Sequence, residues 1–268
     1  MRTTPRSFTL ILIALAAAAS WGCQDKINFL KARSRLNSGV KAFEASDFPR
    51  AATYFDEAIQ LDPELTDART FRACSYMMQY IPGEDSADNK RIANEAIAGF
   101  QEVLKRDPGN RVAKEYIASL YYNMKEFDKS KQAYSEVLAD DPTHKVAHYT
   151  FGVINWAIAY PRNMEVRAEL GMKPEDPGPF ANVKAREALA QENGALIDEG
   201  LQHLEQAVKI DPLYDDAMAY INLLYRQKAD IAETKEQYEE YITLAENWND
   251  KVLEARKVKA EAGTQEAF

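Results

Sequence analysis

Ala58-Ile-Gln-Leu-Asp-Pro63 is one of four closely similar six-residue phrases in this chain, and their recurrence decides the fold. The others are Val103-Leu-Lys-Arg-Asp-Pro108, Val137-Leu-Ala-Asp-Asp-Pro142 and Ala207-Val-Lys-Ile-Asp-Pro212. Each ends an apolar run of helical period with a proline that cannot continue the helix, because it lacks the N–H and its ring clashes with the preceding turn. The third proline follows the second by 34 residues, and the other gaps of 45 and 70 exceed that spacing by 11 and 36. A fixed period of this length, with two insertions, predicts an array of stacked helical hairpins.

Counting back from each proline, the same residue types return. Small residues stand twelve positions earlier, as Ala51, Ala96, Ser130 and Gly200. Bulky ones stand eight earlier, as Phe55, Phe100, Tyr134 and Leu204. Five earlier come Ala58, Val103, Val137 and Ala207. Small, large and small side chains on one helical face are what close packing of two antiparallel helices requires. Small or short residues also recur in the preceding helix, at Gly39, Ala73, Ala118, Gly152 and Asn222. Three residues later stand Ala42, Tyr76, Tyr121, Asn155 and Tyr225.

Together these positions resemble the small–Tyr–Ala–Phe–Ala–Pro register of the tetratricopeptide repeat (TPR) family. The resemblance implies an all-α fold, a right-handed solenoid of helical hairpins with about five repeats, two insertions and a C-terminal capping helix. Repeat 1 covers 32–65 and repeat 3 covers 111–144, while repeats 2 and 4 are interrupted in the middle. A fifth begins at Asp215 without a proline-terminated second helix, so the array occupies 32–229. The family's Trp at position 4 is here Arg35, Arg69, Lys114, His148 or Met218.

The insertions fall between the two helices of repeats 2 and 4, near 80–90 and 158–193, so both elaborate one rim of the array. The first is polar and turn-rich, around Ile81-Pro-Gly-Glu. For the second, the pattern predicts a helix through Trp156 and Tyr160 that stops at Pro161. A short amphipathic piece (Met164, Val166, Leu170) follows, then the turn-rich 173–180, then a helix from about Val183. From 230 to 262 the chain reads as a capping helix, because Tyr238, Tyr241, Ala245, Trp248, Val252 and Ala255 form a one-sided stripe. A short disordered tail, 263–268, is expected after it.

The N-terminus reads as an export signal. Arg2 and Arg6 precede an apolar stretch of twelve residues, Phe8 to Ala19, too short to span a bilayer. Gly22 before Cys23 resembles a bacterial lipobox, in which the cysteine becomes the lipidated N-terminus, although Ser20 and Trp21 depart from its preferred residues. An ordinary signal-peptidase site after Ala17-Ala18-Ala19 remains open. Lipidation at Cys23 divides the chain into a signal of 1–22 and a linker of 23–31, and Gln24 resembles the sorting residue for the outer membrane. The remaining cysteine, Cys74, has no partner with which to build a disulfide framework.

Net charge is −9, from 33 basic and 42 acidic residues, and no basic stripe is present, which argues against nucleic acid as a partner. No phosphate loop, nucleophile elbow, zinc-protease helix or calcium loop occurs, so neither an enzyme nor a cofactor is expected. His144 and His148 stand one helical turn apart but lack a clear third ligand, and no metal site is expected there.

In the family that the chain resembles, the first helix of each repeat lines a concave surface. The residues this implies are Leu36, Val40 and Phe43 in repeat 1, and Cys74, Met77 and Met78 in repeat 2. Repeat 3 contributes Glu115, Tyr122 and Asn123, repeat 4 Tyr149, Val153 and Trp156, and repeat 5 Leu223 and Arg226. An apolar groove with aromatic and Met side chains suits a helix or an extended peptide. The expected function is a membrane-anchored TPR adaptor that binds protein partners in the bacterial envelope. The alternative is a small-molecule binding component of solute transport, with a pocket roofed by the second insertion around Tyr149, Trp156 and Tyr160.

Overall fold

In the computed structural model the backbone is described for residues 5–265 and side chains for 24–262. The side chains of the expected signal, the lipidation site Cys23 and the expected tail 263–268 lie outside the described residues. The described chain is helical throughout, in the order α1 (Pro5–Glu44), α2 (Phe48–Leu61), α3 (Thr66–Gln79), α4 (Ala87–Arg106), α5 (Arg111–Asn123), α6 (Phe127–Asp140), α7 (Lys145–Glu169), α8 (Val183–Ile210), α9 (Asp215–Asp230) and α10 (Lys235–Gln265). The expected linker at 23–31 is not a separate segment, since α1 runs through it into repeat 1. Among the described residues no helix is long and apolar enough to cross a membrane.

The Asp-Pro phrases are the turns between hairpins. In all four the aspartate carbonyl accepts the N–H three residues on, from Leu65, Asn110, His144 and Tyr214, at 3.0–3.1 Å. In three, the carboxylate also accepts the N–H two residues on: Glu64 to Asp62, Thr143 to Asp141 and Leu213 to Asp211. A short acceptor that bonds its own turn, followed by a residue that cannot donate, stops one helix and aims the next.

The chain divides into two compact units, Met1–Glu126 and Phe127–Phe268. In the first, α1 packs on α2, α2 on α3, and α3 on α4. Ala32, Leu36, Ala51, Phe55 and Ala58 are buried together. The small–large register has a direct geometric cause: a Cβ at Gly39 would lie 2.5 Å from the Phe55 ring. The first insertion is ordered from within. Buried Asn89 accepts the Ile81 N–H at 2.9 Å, and its amide donates to the carbonyls of Ile81 and Glu84.

In the second unit α7 packs on α8, α8 on α9, and α9 on α10. A Cβ at Gly152 would overlap the Leu204 side chain, the repeat 4 counterpart of Gly39 and Phe55. Pro161 does not end α7, contrary to the sequence expectation; the helix continues to Glu169. The proline forfeits one backbone hydrogen bond, but Ala159, Asn163, Val166 and Arg167 on either side of it are buried. Tertiary packing outweighs the local break. The second insertion therefore lengthens both helices of its hairpin and leaves a connection at 170–182.

That connection is stapled down. Arg167 donates through Nε and Nη2 to both carboxylate oxygens of Asp230, and through Nη1 to the carbonyls of Lys173 and Asp176 at 3.0 and 2.9 Å. Asn163 donates to Asp230 at 3.0 Å, and the Asp230 carbonyl accepts the Phe180 N–H. Phe180 is fully buried with Val166 and Leu189. Asp230 thus ends α9 instead of beginning the cap, and α10 starts at Lys235.

The cap itself packs as its stripe implies. Ala245, Val252 and Ala255 are buried, Trp248 is half-buried near Met218, and Asn222 donates to the Ala245 carbonyl at 2.9 Å. Its far end is tied by Arg256, 2.8 Å from Asp215, and by Lys259 on the same carboxylate. Hydrogen bonds from these two cations lower the Asp215 pKa from its ordinary value. A carboxyl lowered by folding stabilises above its unfolded pKa of about 4, and the contribution disappears as pH falls through the folded value. Acid titration from pH 6 to 2 should therefore loosen α10, read by Trp248 fluorescence, and Asp215→Asn should already be loosened at pH 6. A variant that matches the wild type across that range would remove the ion pairs from the account of the cap.

Candidate functional site

The first-helix faces carry most of the residues expected to bind partners, but not all of them are at the surface. In the N-terminal unit Leu36 is 7% exposed and belongs to the core with Ala32 and Phe55. In the C-terminal unit Val153 is 3% exposed and is likewise buried. The groove expectation is corrected at both: Leu36 packs with Ala51 and Phe55 of the second helix of its hairpin, and Val153 is closed off from solvent. Val40, Phe43, Met77, Glu115, Tyr122, Asn123, Tyr149 and Trp156 are half-buried. Met78, Leu223 and Arg226 are exposed.

The N-terminal face is built on stacked rings. Phe43 meets Phe48 edge-on at 5.2 Å and Phe71 at 6.1 Å, and Phe71 stacks on Phe55 at 5.5 Å. Phe43 is thus a packing residue with one open edge. Met78 (51% exposed) and Ile81 (56%) present free apolar surface, as does Val112 at 49%. Cys74 lies half-buried beside them, and burial pushes its thiol up to about 11, which keeps it protonated and unreactive near neutral pH. Tyr80 Oη donates to the Asn123 carbonyl at 3.1 Å, joining the start of the first insertion to the end of α5.

In the C-terminal unit four aromatic side chains of α7 and α9 interlock. Tyr149 meets Tyr220 edge-on at 5.8 Å, Trp156 meets Tyr220 at 5.3 Å, and Trp156 stacks on Tyr160 at 5.0 Å. Tyr214 closes over Tyr149 at 5.0 Å. Trp156 Nε1 is buried and has no hydrogen-bond partner. Tyr160 and Leu223, each 39% exposed, form the open edge of this cluster, and Arg226 is held beside it by Asn222 at 3.0 Å. The second insertion does not supply the expected roof: its apolar anchor, Phe180, packs with Val166 and Leu189, not with Tyr149 or Trp156.

Phe71, Tyr214 and Tyr220 are the residues that the sequence reading missed. A signal was present, since aromatic residues recur at the sixth position of three repeats, as Phe71, Tyr116 and Tyr220. His144 serves as a helix cap: its Nδ1 accepts the Ala147 N–H at 3.1 Å at the start of α7.

No protein-family model matches the chain, and no curated protein sequence is similar to it. Its structure is similar to several solved ones at low identity. A crystal structure of MamA is 16% identical, with a TM-score of 0.58 over 86% of this chain and 94% of that one. MamA 41-end from Desulfovibrio magneticus RS-1 is 15% identical, with a TM-score of 0.56 over 85% and 96%. YrrB, described as a TPR protein with an unusual peptide-binding site, is 16% identical, with a TM-score of 0.50 over 83% and 90%. With the Asp-Pro turns and the small–large hairpin seams already in place, this likeness means that the chain has the tetratricopeptide-repeat fold.

Proposed function

We propose that this chain is a non-catalytic adaptor of the bacterial envelope, anchored by lipid on Cys23 at the periplasmic face of the outer membrane. Its first-helix faces take protein or peptide partners. The observation that carries the reading is the paired supply of rigid aromatic support and free apolar edge: Met78 and Val112 in one unit, Tyr160 and Leu223 in the other. Rings already immobilised by their neighbours lose little entropy when a partner covers them, and flexible methionine adapts to its shape. The peptide-binding site named for YrrB supports the same reading.

The groove is tested with Met78→Glu and Leu223→Glu, which alter exposed side chains and leave the hairpin seams intact. Loss of a central apolar anchor costs about 2 kcal/mol or more, a weakening of roughly 30-fold in Kd. Partners co-purified with the wild type from envelope extracts should be lost from the double variant at unchanged helicity. Recovery of the same partners at the same affinity would overturn the groove as their site.

The anchor has a separate test. Cys23→Ala should release the protein from membranes or leave an uncleaved precursor, since a lipidated cysteine carries enough acyl chains for stable attachment. Near it on α1, Ile27, Phe29 and Leu30 are exposed among Lys26, Lys31 and Arg33, a composition suited to an adjacent lipid surface. An unmodified N-terminus at Ser20, found by mass spectrometry, would overturn the lipid anchor.

A second reading, a small-molecule binding component, is favoured by one observation. An open cleft of about 430 Å³ lies at the first insertion, lined by Tyr80, Glu84, Asp85, Lys90, Asn94 and Asn123 among others. That volume is within the range of ligand sites. Saturable binding of a small solute, lost in Lys90→Ala and kept in Met78→Glu, would put this reading ahead.

A further inference from the structure

Of the three histidines in the chain, one is used as a helix cap and the other two meet. His148 on α7 and His203 on α8 bring their Nδ1 atoms to 2.9 Å, with ring centroids 5.1 Å apart. Each ring is held from a second side. His148 Nε2 is 3.1 Å from the Pro142 carbonyl, which only accepts, so Nε2 carries the hydrogen and the lone pair lies on Nδ1. His203 lies flat on buried Phe151, with centroids 4.3 Å apart and an interplanar angle of 6°. The two rings line an open cleft of about 220 Å³ with Pro142, Gln202 and Gln206.

We propose that His148 and His203 form a two-imidazole site for a divalent transition cation of the zinc, nickel and copper class, its remaining positions filled by water or the cleft amides. The arrangement supplies two imidazole ligands and the carbonyl that orients one of them, and leaves the other positions to water or the Gln202 and Gln206 amides. A ligating imidazole characteristically donates its other N–H to a carbonyl or carboxylate, as His148 does to Pro142. Two nitrogens at tetrahedral zinc distances stand roughly 3.3 Å apart, so the nitrogens part by a few tenths of an ångström while the rings, now nose to nose, swing until both lone pairs meet at the cation.

Without metal, one N–H···N bond satisfies the pair, with His203 Nδ1 donating to His148 Nδ1. On metal binding His203 carries its hydrogen on Nε2 instead, so no net proton is released. The nearest charges, Lys131 and Glu199, pair with each other at 2.6 Å and largely offset. Among the described residues no cluster of three or more His, Cys, Asp or Glu is placed to hold a metal. Selection therefore rests on imidazole, which suits zinc, copper and nickel and not calcium or magnesium.

The test is calorimetric titration of the full-length, tag-free protein with NiCl₂, ZnCl₂ and CaCl₂. One saturable site per chain is expected for nickel and zinc and none for calcium. Binding should be lost in His148→Gln and in His203→Gln, and kept in His144→Gln. If His203→Gln does not fold, because its ring packs on Phe151, His148→Gln carries the test together with nitrogen NMR of the wild type. There the Nδ1 signals of both His148 and His203 should shift on adding zinc. Absence of saturable binding, binding that survives His148→Gln, or a shift confined to one ring would overturn the site.

Discussion

Arg167→Met is expected to destabilise the C-terminal unit by about 3–5 kcal/mol, because it leaves the Asp230 carboxylate buried without its cation. Both side chains are nearly inaccessible, at 8% and 6%. Burial raises the Asp230 pKa in the wild type, while Arg167 and Asn163 pull it back down. Removing Arg167 removes most of that pull. A carboxyl whose folded pKa lies above its unfolded one favours folding at low pH, and stability falls as pH rises from the unfolded pKa of about 4 toward the folded value. The variant should therefore lose more in urea unfolding at pH 8 than at pH 5. Arg167→Met with Asp230→Leu should recover much of the loss, since two apolar groups leave no buried charge behind. A single variant with the wild-type midpoint at pH 8 would show that the 170–182 connection is held by its apolar anchors alone.

Phe55→Ala should cost the N-terminal unit about 3–5 kcal/mol through lost burial and the cavity left behind. Phe55 is fully buried, fills the space over Gly39 and supports Phe71 from below. Gly39→Ala alone should cost about 1–3 kcal/mol, because the new methyl overlaps the Phe55 ring. The two changes are complementary in space, so the double variant should be less destabilised than the sum of the singles. Additive losses in denaturant unfolding would mean that the small–large pairing does not set this seam. The same logic applies to Gly152 and Leu204 in the C-terminal unit.

The hairpin register was legible because its causes are local. Asp62, Asp107, Asp141 and Asp211 each close their own turn, and the prolines after them deny the helix its next donor. The helix from Val183 and the stripe of the cap were legible for the same reason, as runs of one-sided period. The groove was only partly legible. Repeat position named Met78, Trp156 and Leu223, but it also named Leu36 and Val153, which the packing of neighbouring helices buries.

An all-helical array of hairpins, its period, its interruptions and its final apolar stripe follow from local pattern, because turn chemistry and periodicity act between residues a few positions apart. Packing between distant segments is what carries α7 through Pro161, gives Asp230 to Arg167 sixty-three residues away, and brings the His148 ring to His203. Those outcomes depend on which side chains share a buried space once the helices have packed. A local pattern does not encode that, since burial sets the cost of a lost backbone bond, an unpaired charge or an orphaned ring nitrogen.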